Sequence, residues 1–149
     1  MLIETTRFGK VEIDGSRVIT FKDGLLGFPK HRRFALIQTA EDAVFLWMQS
    51  VEDPALAFLV CDPTAFVPGY QAQVRADDVK TLELRNLTDC RVLAIANKVD
   101  GYLTANLLGP LVIGAHSLKA RQLVLSDKRY GTRHRLVRVD ALTAVSKTA

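Results

Sequence analysis

The sequence predicts an all-β protein: a small β-barrel-like domain of about nine short strands with one short helix. Three observations carry that prediction. Apolar runs of about five residues, rich in Val, Ile, Phe and Trp, recur along the chain. Turn signals separate them: Asp14-Gly15, Asp23-Gly24, Pro68-Gly69, Asp100-Gly101 and Gly109-Pro110. Only one stretch, Ala76–Asn86, carries a helical pattern. A closed barrel also leaves no strand edge open.

The elements follow in order. Leu2–Thr6 and Lys10–Ile13 read as strands, and Asp14-Gly15 as a hairpin turn, because a type I′ turn needs positive φ at both central residues. Arg17–Phe21 is the expected return strand. After Asp23-Gly24 comes an apolar loop containing Leu25, Leu26 and Phe28, which either plugs the core or forms a sticky surface; the plug is the preferred reading. Phe34–Gln38, Val44–Met48 and Ala57–Val60 read as strands, with Glu41-Asp42 in a loop. Trp47 should gain about 2–3 kcal/mol from burial. Gln49–Pro54 forms a polar, acidic connector. Asp62-Pro63 ends strand pairing, since proline offers no N–H. In the helix, Asp77 or Asp78 can cap the first turn, and Val79 and Leu82 share a face. Val92–Ala96, Tyr102–Leu108, Leu111–Ile113 and Ala120–Leu125 complete the strand pattern, and Leu136, Val137 and Val139 suggest a final strand or helix.

The 149 residues read as one domain, 1–149, with a basic C-terminal tail from about residue 127. A hydrophobic fraction of 48% suffices for a core. No run approaches the ~18 apolar residues of a membrane helix, and the N-terminus has no signal-peptide pattern. Cys61 and Cys90 sit in apolar runs and read as reduced core thiols, which fits a cytoplasmic protein, with a disulfide or reactive thiol as the minor alternative. Charge is unevenly spread. Phe34–Val74 contains five acids and no Lys or Arg, whereas His116–Arg138 contains seven Lys/Arg and one acid, Asp127. Such asymmetry suggests charged partners or self-complementary packing.

Catalytic signatures are missing. Gly24-Leu25-Leu26-Gly27 matches no phosphate-binding loop, and His31, His116 and His134 are scattered without metal-ligand spacing. Glu52-Asp53 and Asp77-Asp78 read as solvated turns or caps, so neither requires acid–base chemistry. The chain reads as a binder, with no catalytic residue, metal or cofactor expected. Two other readings are a nucleic-acid-binding β-barrel using the basic 116–138 segment and a small-ligand or flavin barrel enzyme. Against the first, Tyr130 is the segment's only aromatic, so base stacking would be poor.

Three collinear stretches change the weighing. They are Thr6–Ile13 with Phe21–Phe28, Trp47–Phe58 with Asp62-Pro63, and Thr104–Ile113 with Arg121-Gln122. Together they resemble the flagellar assembly factor FliW family over roughly residues 1–136. Gly114 departs from the pattern, where the family commonly has Asn. The resemblance implies a cytoplasmic, non-catalytic β-barrel-like protein that binds flagellin before export. It also implies binding to the translational repressor CsrA away from its RNA surface. Flagellin and CsrA would compete, so export of flagellin frees the factor to capture CsrA. No direct nucleic-acid or membrane contact is implied.

On that basis the Lys/Arg-free stretch is the expected CsrA surface, with Glu52 and Asp53 as leading residues and Gln49 as a polar contact. Flagellin's amphipathic terminal helix would meet an apolar surface, for which Phe28, the Leu25-Leu26 loop, Asn106, Leu107 and Leu108 are candidates. Fold maintenance is the competing role for Phe28, Leu107 and Leu108.

Overall fold

Alternation of apolar and polar residues puts every second side chain on one face of a strand, and here that face closes on itself. The computed structural model describes residues 1–39 and 44–140. Within them, β1 (Leu2–Thr5) and β2 (Gly9–Glu12) form a separate antiparallel hairpin. Seven further strands form the barrel: β3 (Ile19–Phe21), β4 (Arg33–Ile37), β5 (Phe45–Ser50), β6 (Ala57–Cys61), β7 (Cys90–Val99), β9 (Leu111–Gly114) and β10 (Lys119–Gln122). Their order is β7-β6-β5-β4-β3-β10-β9, and β9 closes the ring by pairing with β7. Only the β3–β10 pair in this ring is parallel. Outside the ring lie β8 (Tyr102–Ala105) and β11 (His134–Arg138). The basic tail therefore contributes a strand, one reason the described residues hold eleven strands instead of about nine.

Register explains the core. Leu36, Met48 and Phe58 are aligned across β4, β5 and β6, while Leu46, Val60 and Ile95 are aligned across β5, β6 and β7. On the far side Ile113, Ala120 and Phe21 line up across β9, β10 and β3. These residues, with Phe34, Leu93 and Leu111, fill the barrel. Phe21 and Phe34 meet edge to face at 5.7 Å. Each fully buried Phe, Met or Leu contributes about 1.5–3 kcal/mol.

β7 is ten residues long because it serves two partners on one edge. Cys90–Leu93 pairs with β9 and closes the barrel, while Ala96–Val99 pairs with β8. Asp100 and Gly101 both have positive φ, 51° and 79°, making the tight β7–β8 hairpin expected from the sequence. The outer face is also apolar in places. Tyr70, Ala94, Ala105 and Leu107 form one external cluster, and Leu82, Leu84, Val112 and Leu123 another.

Several expectations need correction. Asp14-Gly15 is no hairpin turn: Asp14 has φ −76° and its carboxylate accepts hydrogen bonds from Ser16 N and Oγ, holding a 3-10 turn over Gly15–Arg17. Consequently β3 pairs with β4 and β10, not β2. The helix is only α1 (Ala76–Thr81). Glu83 adopts φ 53°, and Leu82 and Leu84 are both buried, a two-residue spacing that one helical face cannot satisfy. Neither Asp77 nor Asp78 precedes the helix as its cap. Asp78 lies inside it, where its carboxylate accepts from the Arg75 N–H at 2.9 Å. Trp47 points outward and is half-buried, with the Arg7 guanidinium 3.9 Å above its ring and Phe8 against it. Glu41 and Asp42 lie outside the described residues. Gly114 has a local reason: a Cβ there would collide with Ser117 Oγ, which donates to Leu82 O at 2.6 Å.

Candidate partner-binding site

The Leu25–Phe28 loop is a turn that hides one apolar side chain and shows two. Gly24 has φ 66°, and a Cβ on it would lie 2.5 Å from Phe28 O and 2.7 Å from Pro29 Cα. No other residue fits that close approach. Leu25 N–H donates to Phe28 O at 3.2 Å, and Phe28 N–H donates to Leu25 O at 2.8 Å. Leu25 is thereby buried in the barrel, whereas Leu26 and Phe28 stay 62% and 37% exposed. The loop is both plug and surface. The Phe28 ring is held in place by Phe58 at 5.2 Å and His31 at 6.0 Å, both edge to face.

Next to it stands the connector after β5. Ser50 Oγ accepts from the N–H groups of Glu52 and Asp53 at 3.1 and 2.9 Å. Gln49 is fully buried, with Nε2 within 3.1–3.4 Å of the carbonyl oxygens of Ser50, Asp53, Pro54 and Leu56. Its amide is committed to holding the loop, and its Oε1 has no partner. Gln49 thus acts from inside, beneath Glu52 and Asp53. Thr6 N–H donates to Pro54 O at 2.8 Å and ties the β1–β2 hairpin to the same loop.

Glu52 is exposed, and its Oε1 accepts from Arg33 N–H at 2.8 Å and Arg32 N–H at 3.0 Å. These two backbone bonds hold its carboxyl below the ordinary value of 4.5. A depressed folded value means the contribution is present above about pH 4.5 and is lost as pH falls through the lower, folded value. A Glu52→Gln variant should therefore show a lower urea midpoint than the wild type at pH 7 and a much smaller gap at pH 3. A gap of equal size at both pH values would mean that the charge of Glu52 does not strengthen the loop. Asp53 Oδ2 lies 3.5 Å from His31 Nε2, joining the connector to the Phe28 loop.

The third wall is the segment after β8. Asn106 N–H donates to Ile95 O at 2.9 Å, and its Oδ1 accepts from Leu108 N–H at 3.1 Å. Gln122 bridges the walls: its Oε1 accepts from Leu26 N–H at 2.9 Å, and its Nε2 donates to Gly109 O at 3.0 Å. A Cβ at Gly109 would lie 2.7 Å from Asn106 Nδ2 and 2.9 Å from Gln122 Nε2, so this network requires glycine there. Leu107 is fully buried in the external cluster with Tyr70, whose hydroxyl donates to Leu107 O at 2.6 Å. Leu107 supports Asn106 from below, and Leu108 is half-buried.

Phe28, Glu52 and Asp53 therefore meet at one end of the barrel, with Asn106 linked to the same turn beside Leu26 and Gln122; Gln49 lies beneath the connector, and Leu107 is buried in the outer-face cluster with Tyr70. Sequence reasoning did not single out His31 or Gln122, although Arg121-Gln122 was part of the family pattern. The surface combines two exposed apolar side chains with an acidic rim. Burial pushes the Cys61 thiol up to about 12, and burial also raises Cys90.

Most of the basic 116–138 segment is engaged within the protein. Arg121 Nη1 contacts Asp77 and Asp78 at 2.9 and 2.8 Å, and Lys119 pairs with Glu83 at 2.9 Å. Arg129 grips Asp127, holding that carboxyl at about 2, Arg138 lies 3.4 Å from Asp140, and Arg135 lies 4.5 Å over the Tyr102 ring. Four of the segment's seven cations are thus paired with acids, none of which lies in the acidic 34–74 stretch.

Comparison with known proteins gives a consistent result. The family model described as "FliW protein" matches residues 2–136. A flagellar assembly factor FliW from Bdellovibrio bacteriovorus is 40% identical over 135 residues, covering 89% of this chain and 77% of that protein. The one from Syntrophus aciditrophicus is 40% identical over 142 residues, covering 93% and 89%. A crystal structure of the flagellar assembly factor FliW superposes with a TM-score of 0.82 at 32% identity, covering 91% of this chain and 96% of that one.

Proposed function

This chain belongs to the FliW family, and from that premise we propose that it is a non-catalytic cytoplasmic factor that binds flagellin and, when free of it, binds and antagonises CsrA. Flagellin synthesis is then coupled to export: accumulated flagellin occupies the factor and leaves CsrA to repress, and exported flagellin releases the factor to capture CsrA. One observation supports this reading above the others. Exposed Leu26 and Phe28 stand beside the acidic pair Glu52 and Asp53 at one end of the barrel. An amphipathic helix needs the first kind of surface, and a basic partner is steered by the second. Bringing both kinds of surface together also suits mutually exclusive binding.

The defining experiment is a pull-down from a flagellated host followed by mass spectrometry. Flagellin and CsrA are the expected captures, and recovery of neither would overturn the proposal. The acidic pair has its own test. A Glu52→Lys/Asp53→Lys variant should slow association with CsrA by about tenfold or more at low salt, as rim charges act mainly on the association rate. An unchanged rate and affinity would remove these two residues from the CsrA surface.

A further inference from the structure

A second surface lies on the other side of the Leu26–Gly27 turn. A cleft of about 1160 Å³ opens between this turn, β3, β10 and α1. Five cationic side chains line it: Lys22, Arg32, Lys80, Lys119 and Arg121. Two carboxylates, Asp23 and Asp77, lie among them. Arg121 and Lys119 are held by Asp77, Asp78 and Glu83. Lys22, Arg32 and Lys80 form no ion pair with any described residue. Elsewhere the arginines of the basic segment are largely matched to acids or rings. The cleft therefore gathers three unmatched cations in one concave place, with exposed Leu26 at its lip.

We propose that this cleft binds an acidic, partly apolar protein segment, with its carboxylates on Lys22, Arg32 and Lys80 and one apolar side chain against Leu26. Charge complementarity selects an anionic occupant. No aromatic side chain lines the cleft, so nucleic-acid bases would have nothing to stack on. Its concave shape does not fit a planar bilayer. Lys22 and Arg32 flank the loop that carries Phe28, and Leu26 belongs to both surfaces, so the cleft extends the candidate site around the turn.

The test is a titration of the full chain with a fluorescein-labelled synthetic peptide of glutamates and two interspersed leucines. Binding should weaken as salt rises, and a Lys22→Glu/Lys80→Glu variant should weaken it by about tenfold or more. Both lysines are exposed, so the variant should keep the wild-type circular dichroism. A Lys10→Glu/Lys128→Glu variant carries the same change in net charge away from the cleft and should bind within about twofold of wild type. Absence of peptide binding overturns the proposal. So does an equal loss in both variants, or tighter binding of a single-stranded oligonucleotide of matched length through the same lysines. The titration needs neither flagellin nor CsrA, so its outcome is distinguishable from failure of the pull-down.

Discussion

A Phe28→Asp variant should fold and should lose flagellin capture by about thirtyfold or more, the cost of removing an aromatic anchor worth roughly 2 kcal/mol or more. Phe28 is 37% exposed, and its ring is pinned edge to face against Phe58 and His31. Such a ring offers apolar area with little rotamer freedom left to lose on binding. Aspartate removes that area and adds a third carboxylate beside Glu52 and Asp53. The measurement is titration of flagellin against wild type and variant, with thermal melts confirming the fold. Leu26→Asp, which alters the most exposed side chain of the turn, should act in the same direction. A folded Phe28→Asp protein that binds flagellin normally would exclude this loop as the docking surface.

The second large effect falls on stability. Gln49→Leu should destabilise the protein by about 2–4 kcal/mol, because the connector loses the buried amide that ties its carbonyl groups together, although the Asp53, Pro54 and Leu56 oxygens each keep a backbone N–H donor. Four carbonyl oxygens lie within 3.1–3.4 Å of the Gln49 amide nitrogen, and leucine offers none of them a hydrogen. The orphan Oε1 disappears in the same substitution and offsets part of the loss. For a chain of this size the melting temperature should drop by roughly 5–15 °C. Glu52 and Asp53 should also lose their fixed positions, so association with CsrA should slow even where the variant remains folded. A melting temperature within about 2 °C of wild type would show that water replaces the amide without cost.

Much of the architecture was legible in the residues. Apolar alternation and turn chemistry are local, and Asp100-Gly101 has the positive φ values its residue types predict. Asp14-Gly15 carries the same dipeptide signal and does something else, since the Asp14 carboxylate finds Ser16 within reach and caps a 3-10 turn. The helical pattern over Ala76–Asn86 overruns the helix because Val79 and Leu82 do share a face, whereas the burial of Leu84 together with Leu82 against Val112 and Leu123 fits only a break. For the site, Phe28, Glu52, Asp53 and Asn106 were legible as surface candidates. Gln49 and Leu107 look like surface contacts in the sequence, but both are fully buried, Gln49 under the connector and Leu107 in the outer-face cluster. Polar character in a loop does not reveal which way a side chain points.

The sequence by itself determined the fold class, the family pattern and the segments that carry the candidate site. Those depend on periodicity and turn preference, which neighbouring residues set. Tertiary structure alone decided which charges remain unmatched and which segments share a surface. Barrel closure brings Lys22, Lys80 and Lys119 to one cleft from three separate segments, and it matches Arg121 with acids more than forty residues away. It also sets Phe28 beside Phe58 and His31 beside Asp53. Electrostatic and packing energies depend on distance through space, and a linear chain does not carry that distance until its strands have paired.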